Sequence, residues 1–244
     1  MKEIYGIMTG MKKLKIGVPI RYYSINQQQV MAACITEELR YLFSLLDVEM
    51  VPIFSTQKFR LAREPYDKIP ELTEEERQNI LNKIKLCDGL LIPGGGRFKP
   101  YDRLIIDYAV RNDVPMLCIC LGAQLLSAFG QEKAIFRKVD TSHEQGSKPG
   151  VCHLITIEKD SKLFQIIGKT TTEVNSFHTR QANENDFFKI TATSPDGVIE
   201  AIEKPDAQFC IGVQWHPEKD YSDNPDSRKL IDAFITAATQ AASE

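Results

Sequence analysis

Apolar and polar positions along this chain follow two rhythms, one of strands and one of helices. Leu14-Lys15-Ile16-Gly17-Val18-Pro19-Ile20 is a short apolar run closed by its proline, which predicts a first strand. After the polar stretch Arg21 to Gln29, apolar side chains return at 30, 31, 34, 35, 39, 42, 43, 45 and 46. That spacing predicts a helix from Val30 to Leu46 with one face inward. Glu49 to Phe54 predicts the next strand, and the order strand, helix, strand favours a parallel pair with a right-handed crossover.

Gln57 to Leu72 is charged and carries Pro65 and Pro70, so it reads as an irregular connection at the rim of a site. Thr73-Glu74-Glu75-Glu76 has the form of a capping box that opens a helix running to about Leu86, with the glutamates on a solvated face. Gly89-Leu90-Leu91-Ile92-Pro93 predicts a third strand leading straight into Gly94-Gly95-Gly96, and Tyr101 to Arg111 supplies a further amphipathic helix. Val114 to Cys120 is apolar enough for a buried parallel strand, and a small, helix-favouring segment follows it without a gap and ends near Gly130.

Periodicity fades between Gln131 and Gly150, where His143 is expected at the surface. Strands are then expected at Val151 to Glu158, Val174 to Phe177, Lys189 to Ser194, Val198 to Glu203 and Cys210 to Trp215. Of these, Val198 to Glu203 has the alternation of an antiparallel or half-exposed strand. A helix from Asp226 to Ala242 closes the pattern. The whole reads as α/β.

Composition narrows the class. With 244 residues, 43% of them hydrophobic, the chain can bury a sizeable core, and one domain over residues 11–244 is the expectation, residues 1–10 forming an N-terminal extension. A net charge of -3 offers no basic field for nucleic acid or an anionic membrane, which leaves a small molecule or a protein as partner. Homo-oligomerisation is left open. No apolar run approaches the ~18 residues of a membrane span, and Met1 to Gly10 lacks the apolar centre of a signal peptide, so a cytoplasmic protein is expected. The six cysteines form no CxxC pair and no Cys/His spacing suited to zinc, so neither a metal nor a cofactor is expected.

Candidate chemistry centres on Cys120, which stands where the apolar strand meets the helix. A side chain on so sharp a turn is pushed out of the sheet, and the first helical amides behind it can receive an oxyanion. A thiol needs a base or a cation beside it to react near neutral pH. Among the four histidines, His216 is expected at a strand end, as Cys120 is, and parallel strand ends share one edge. Glu218, two positions on and past a proline, can fold back to orient that imidazole. The alternative for His216-Pro217-Glu218 is a structural turn. The three glycines at 94–96 precede the elbow by one strand-helix unit, where a second oxyanion donor often originates.

Cys120-Leu121-Gly122-Ala123-Gln124 resembles the CxGxQ elbow of class I glutamine amidotransferase-like proteins, and Gly212 to Glu218 resembles their second signature. Asn175-Ser176-Phe177-His178, Ser194-Pro195-Asp196-Gly197 and Pro93-Gly94-Gly95 are similar to the peptidase C26 branch, which includes γ-glutamyl-γ-aminobutyrate hydrolases. The resemblance implies a flavodoxin-like fold: a mostly parallel sheet, helices on both faces, and additional antiparallel strands in the C-terminal half. It implies hydrolysis of a γ-glutamyl amide through a glutamyl thioester. Cys120 would be the nucleophile, His216 the acid and base, and Glu218 its orienter. Backbone amides of Leu121 and Gly95 would form the oxyanion hole, and Gln124, Ser176, Phe177 and His178 would meet the substrate.

The sequence departs from that pattern in three places. Cys118 stands where the family has a small residue, so two thiols compete, and Gly122 and Gln124 keep their register to Cys120 alone. Leu121 replaces the arginine common in the hydrolase branch, and the double glycine usual after the elbow helix is Gly130-Gln131. Two other functions are compatible with the motifs: a glutaminase subunit that delivers ammonia to a separate synthase, and a catalytically silent regulatory relative.

Overall fold

The computed structural model describes residues 13–25, 30–58, 61, 68–131, 134–139, 143 and 152–243. In chain order its elements are β1 (Lys15–Pro19), β2 (Arg21–Ile25), β3 (Val30–Cys34), α1 (Glu37–Leu45), β4 (Glu49–Ile53), α2 (Glu74–Ile84), β5 (Gly89–Ile92), α3 (Pro100–Arg111), β6 (Met116–Ile119) and α4 (Leu121–Ser127). There follow β7 (Cys152–Ile157), α5 (Lys162–Ile167), β8 (Thr171–Asn175), β9 (Lys189–Thr193), β10 (Ile199–Glu203), β11 (Cys210–Val213), α6 (Pro217–Asp220) and α7 (Pro225–Ala241).

Nine strands form one sheet in the order β4-β1-β5-β6-β11-β10-β9-β7-β8. The first five run parallel. From β10 onward every pairing is antiparallel. This is an α/β fold with a parallel half and an antiparallel half, the division that the family resemblance implies. No helix among the described residues is long and apolar enough to cross a membrane.

Alternation along the central strands sorts the core into two layers. Leu90, Ile92, Met116 and Cys118 pack with the inner faces of α2, α3 and α4, while Leu91, Leu117, Ile119, Ile211 and Val213 pack with α1, α5 and α7. Helices therefore cover both faces of the sheet. β10 is antiparallel but buried along its length, Glu200 and Glu203 included, and is not half-exposed.

The expected helix from Val30 begins only at Glu37. Val30–Cys34 pairs antiparallel with Arg21–Ile25, so part of the supposed polar stretch and the start of the supposed helix form a two-stranded hairpin. Tyr22, Tyr23, Ile25 and Val30 favour strand, and apolar positions 30, 31, 34 and 35 suit either rhythm. Thr36 ends the ambiguity: its side chain accepts from Leu39 N, with Glu37 and Glu38 in the first turn behind it. α2 opens on the expected capping box, Thr73 and Glu76 each bonding the other's backbone. Glu76 is nonetheless buried, because it also accepts from Lys58 N at 2.8 Å. The described residues of Gln57 to Leu72 pack there, beside α2, and none lines the cavities around Cys120.

Candidate active site

Cys120 joins β6 to α4 with φ 52° and ψ -105°, a conformation that L-residues rarely adopt. Neighbouring structure fixes it there. Cys120 N donates to Val213 O at 2.7 Å, and Gln124 N donates back to Cys120 O at 3.1 Å. Gly122 must be glycine, because a Cβ at that position would lie 2.4 Å from Ile92 O. The elbow thus leans on β5 through a contact that excludes any side chain. Held strain of this kind is a common mark of functional turns.

β11 is parallel to β6, with Val213 opposite Ile119, so both strands deliver their ends to one edge. His216 leaves β11 at that edge, and Pro217 opens α6 immediately behind it. His216 Nδ1 donates to Glu218 Oε1 at 2.6 Å, which leaves Nε2 for Cys120, on the wall of the same cavity. Burial opposes a charged imidazole, but the Glu218 carboxylate and the Cys120 sulfur outweigh it and hold His216 up to about 10. Glycine at 94 is needed here as well, since a Cβ would come within 2.9 Å of His216 Cε1.

Cys118 has other surroundings. It is fully buried in β6 opposite Gly212, and desolvation, reinforced by Cys210, drives its thiol well above the ordinary range. Cys120 instead lines two cavities that meet at its position. One, of about 490 Å³, is bounded by Gly95, Leu121, Gln124, Phe177, His178 and Arg180, with Arg97 also on its wall. The other, of about 250 Å³, is bounded by Arg21, Tyr23, Glu38, His216, Glu218 and Lys219. Gln124 Nε2 donates to Arg180 O at 2.7 Å, tying the elbow helix to the far wall of the larger cavity.

The structure brings together eight of the nine residues singled out from the sequence; Ser176 lines neither cavity. The expected strand Val174 to Phe177 ends at Asn175, and the chain beyond stays extended enough to keep alternating. Val174, Ser176 and His178 turn inward, and the Ser176 hydroxyl donates to His143 O at 2.8 Å. Phe177 turns the other way, its ring edge-on to His216 at 5.7 Å and under the Lys219 ammonium at 4.0 Å. His143 is not a surface residue. It is 3% exposed, against Asp196 and Glu200.

Four residues that shape the site had no role assigned from the sequence: Arg97 and Arg180 on the larger cavity, Arg21 and Asn175. Arg21 is buried with Asp102, and its guanidinium donates to Pro93 O and, at 3.0 Å, to Gly94 O. Asp102 also caps α3 by accepting from Lys99 N at 2.8 Å, so one ion pair ties the glycine turn to a helix start. Asn175 bonds the His216 backbone. An arginine after a strand carries no local signal, and the motif that contains Asn175 points to the pocket without showing that its asparagine holds a histidine.

Residues 99–218 match the family Peptidase C26. The protein NtpR of Enterococcus hirae is 33% identical over 144 residues, which is 55% of this chain and 60% of that protein. γ-Glutamyl-γ-aminobutyrate hydrolase PuuD of Escherichia coli is 30% identical over 145 residues, covering 54% of this chain and 57% of that enzyme. The chain thus spans less than two thirds of either relative. Among solved structures, the glutaminase domain of Trypanosoma brucei CTPS, with bound acivicin, superposes with a TM-score of 0.64 at 17% identity, over 93% of this chain and 94% of that one.

Proposed function

We propose that the chain is a member of the class I glutamine amidotransferase-like superfamily, in its peptidase C26 branch, and a cysteine hydrolase that cleaves the γ-glutamyl amide bond of a small γ-glutamyl-amine. The observation that carries this reading is His216, hydrogen-bonded to Glu218 and lining the same cavity as Cys120, which stands where two cavities meet. A nucleophile between two spaces suits a substrate with two ends.

In this mechanism the γ-glutamyl group occupies the larger cavity, where Arg97 and Arg180 supply positive charge for its α-carboxylate and Gln124 borders its α-substituents. The amine portion lies in the smaller cavity. His216 Nε2 takes the thiol proton as Cys120 Sγ attacks the amide carbonyl carbon, and the carbonyl π pair moves onto oxygen. Backbone amides of Leu121, at the start of α4, and Gly95 receive that charge; loss of one such donor typically costs about 10²–10³ in rate.

Collapse of the tetrahedral adduct breaks the C–N bond, and His216 Nε2 gives its proton to the departing amine. The glutamyl group remains as a thioester on Cys120. Nε2 then takes a proton from water as the water oxygen attacks the thioester carbonyl. The C–S bond breaks, glutamate leaves, and the proton returns to the sulfur. Glu218 holds Nδ1–H throughout and fixes which nitrogen faces the sulfur.

A hydrolysis screen over glutamine, γ-glutamyl-γ-aminobutyrate, other γ-glutamyl-amines and polyglutamylated folate tests this reading. Unassisted release of glutamate from γ-glutamyl-amines is expected. Turnover confined to glutamine that rises sharply on adding a synthase would contradict it, and would favour an ammonia-delivering glutaminase.

A further inference from the structure

Away from Cys120, three of the four histidines converge on one buried carboxylate. His153 Nε2 lies 3.0 Å, His143 Nδ1 3.3 Å and His178 Nε2 3.5 Å from Glu200 Oε1, and Glu200 is fully buried. The nitrogens opposite show which protons are present. His178 Nδ1 lies 3.0 Å from Arg180 O, and a carbonyl only accepts, so Nδ1 carries the ring proton. His143 Nε2 lies 3.0 Å from Asp196 Oδ2, a carboxylate held below its usual range by the Ser194 hydroxyl and by His143. That nitrogen is the donor too.

His143 and His178 thus each spend one ring nitrogen as a donor and turn the other toward the same carboxylate oxygen. His143 Nδ1, His178 Nε2 and Glu200 Oε2 are all buried without a hydrogen-bond partner. The donor atoms of His143, His153 and Glu200 lie within 4.8 Å of one another, close enough for one ion to touch all three. Imidazoles whose second nitrogen donates to a carboxylate or a backbone carbonyl are the usual arrangement of metal-bound histidine.

We propose that His143, His153 and Glu200 form a binding site for one divalent metal ion, zinc by its donor set of two imidazoles and one carboxylate. The ion ties His143 to strands β7 and β10, and Glu200 in turn faces His178, on the chain after β8 whose residues Phe177 to Arg180 form one wall of the larger cavity. The sequence reading expects no metal because these ligands stand at 143, 153 and 200 and no short spacing joins them.

Titration of chelator-treated protein with zinc chloride, followed by calorimetry and by thermal melting, tests the proposal. A Cys34→Ser, Cys120→Ser background removes the two competing thiols that line the cavities. One zinc per chain is expected, with submicromolar affinity, a raised melting temperature, and loss of at least tenfold in affinity in His153→Gln and His143→Gln. Cobalt substitution should give tetrahedral visible bands without a thiolate charge-transfer band, a signature that does not rely on any ligand variant folding. No saturable zinc binding, binding unchanged in both histidine variants, or a thiolate band with cobalt would overturn the site.

Discussion

Asn175 holds the backbone of His216 from both sides: its Oδ1 accepts from His216 N at 2.8 Å, and its Nδ2 donates to His216 O at 2.9 Å. The imidazole is thereby positioned from the end of β8 as well as from β11. Asn175→Ala removes these two hydrogen bonds, worth about 1 kcal/mol each and more where a partner is left unpaired, together with a longer one from Nδ2 to Asp220 Oδ2 at 3.3 Å. The expected outcome is a kcat lowered roughly 10- to 100-fold, with KM changed less than about threefold. Steady-state kinetics on a γ-glutamyl-amine, with the thermal melt as a check on folding, measure it. An unchanged kcat would show that β11 alone sets the ring.

Arg21 and Asp102 are a buried ion pair that holds the turn at Pro93 and Gly94. Arg21→Met leaves the Asp102 charge buried and alone, a change expected to cost about 3–5 kcal/mol in urea denaturation. Adding Asp102→Leu removes the orphaned charge and should restore much of that stability. It should not restore turnover, because Pro93 O and Gly94 O still lack their donor. Recovery of both together would mean that Arg21 serves the fold only.

His216 sets a pH dependence whose sign follows from its environment. Its folded value, about 10, lies above the ordinary imidazole value of 6.5, because Glu218 and Cys120 overcome the desolvation that works against the charge. The resulting stabilisation is fully present below about 6.5 and is lost as pH rises through about 10. Melting curves of the wild type and His216→Gln should therefore differ most near neutral pH and converge toward pH 10 and above. A difference that stayed constant over that range would contradict the assignment.

The elbow, its partner strand and the α/β order were legible because each has a local cause. A buried parallel strand reads as an unbroken apolar run, and Thr73 to Glu76 announce their own helix. Val30–Cys34 misled because positions 30, 31, 34 and 35 fit a helix as well as a strand, and the pairing with Arg21–Ile25 that decided it lies outside any local window. Ser176 was assigned to the pocket as part of a motif, whereas alternation past the end of β8 sends it inward. His143 looked like a surface residue because its segment is polar. Glu200, far along the chain and fully buried, draws it in, which only tertiary structure can place.

The central claim is that Cys120 is the nucleophile and Cys118 is not, although two residues separate them. Cys120 faces two cavities, one of them shared with His216, while Cys118 is sealed in β6. Reaction with a glutamine-analogue electrophile, followed by peptide mass spectrometry, reads this directly. One adduct per chain on Cys120 is expected, with labelling and γ-glutamyl-amine hydrolysis both abolished in Cys120→Ala and retained in Cys118→Ala. Labelling at Cys118, or full activity in Cys120→Ala with loss in Cys118→Ala, would contradict the account.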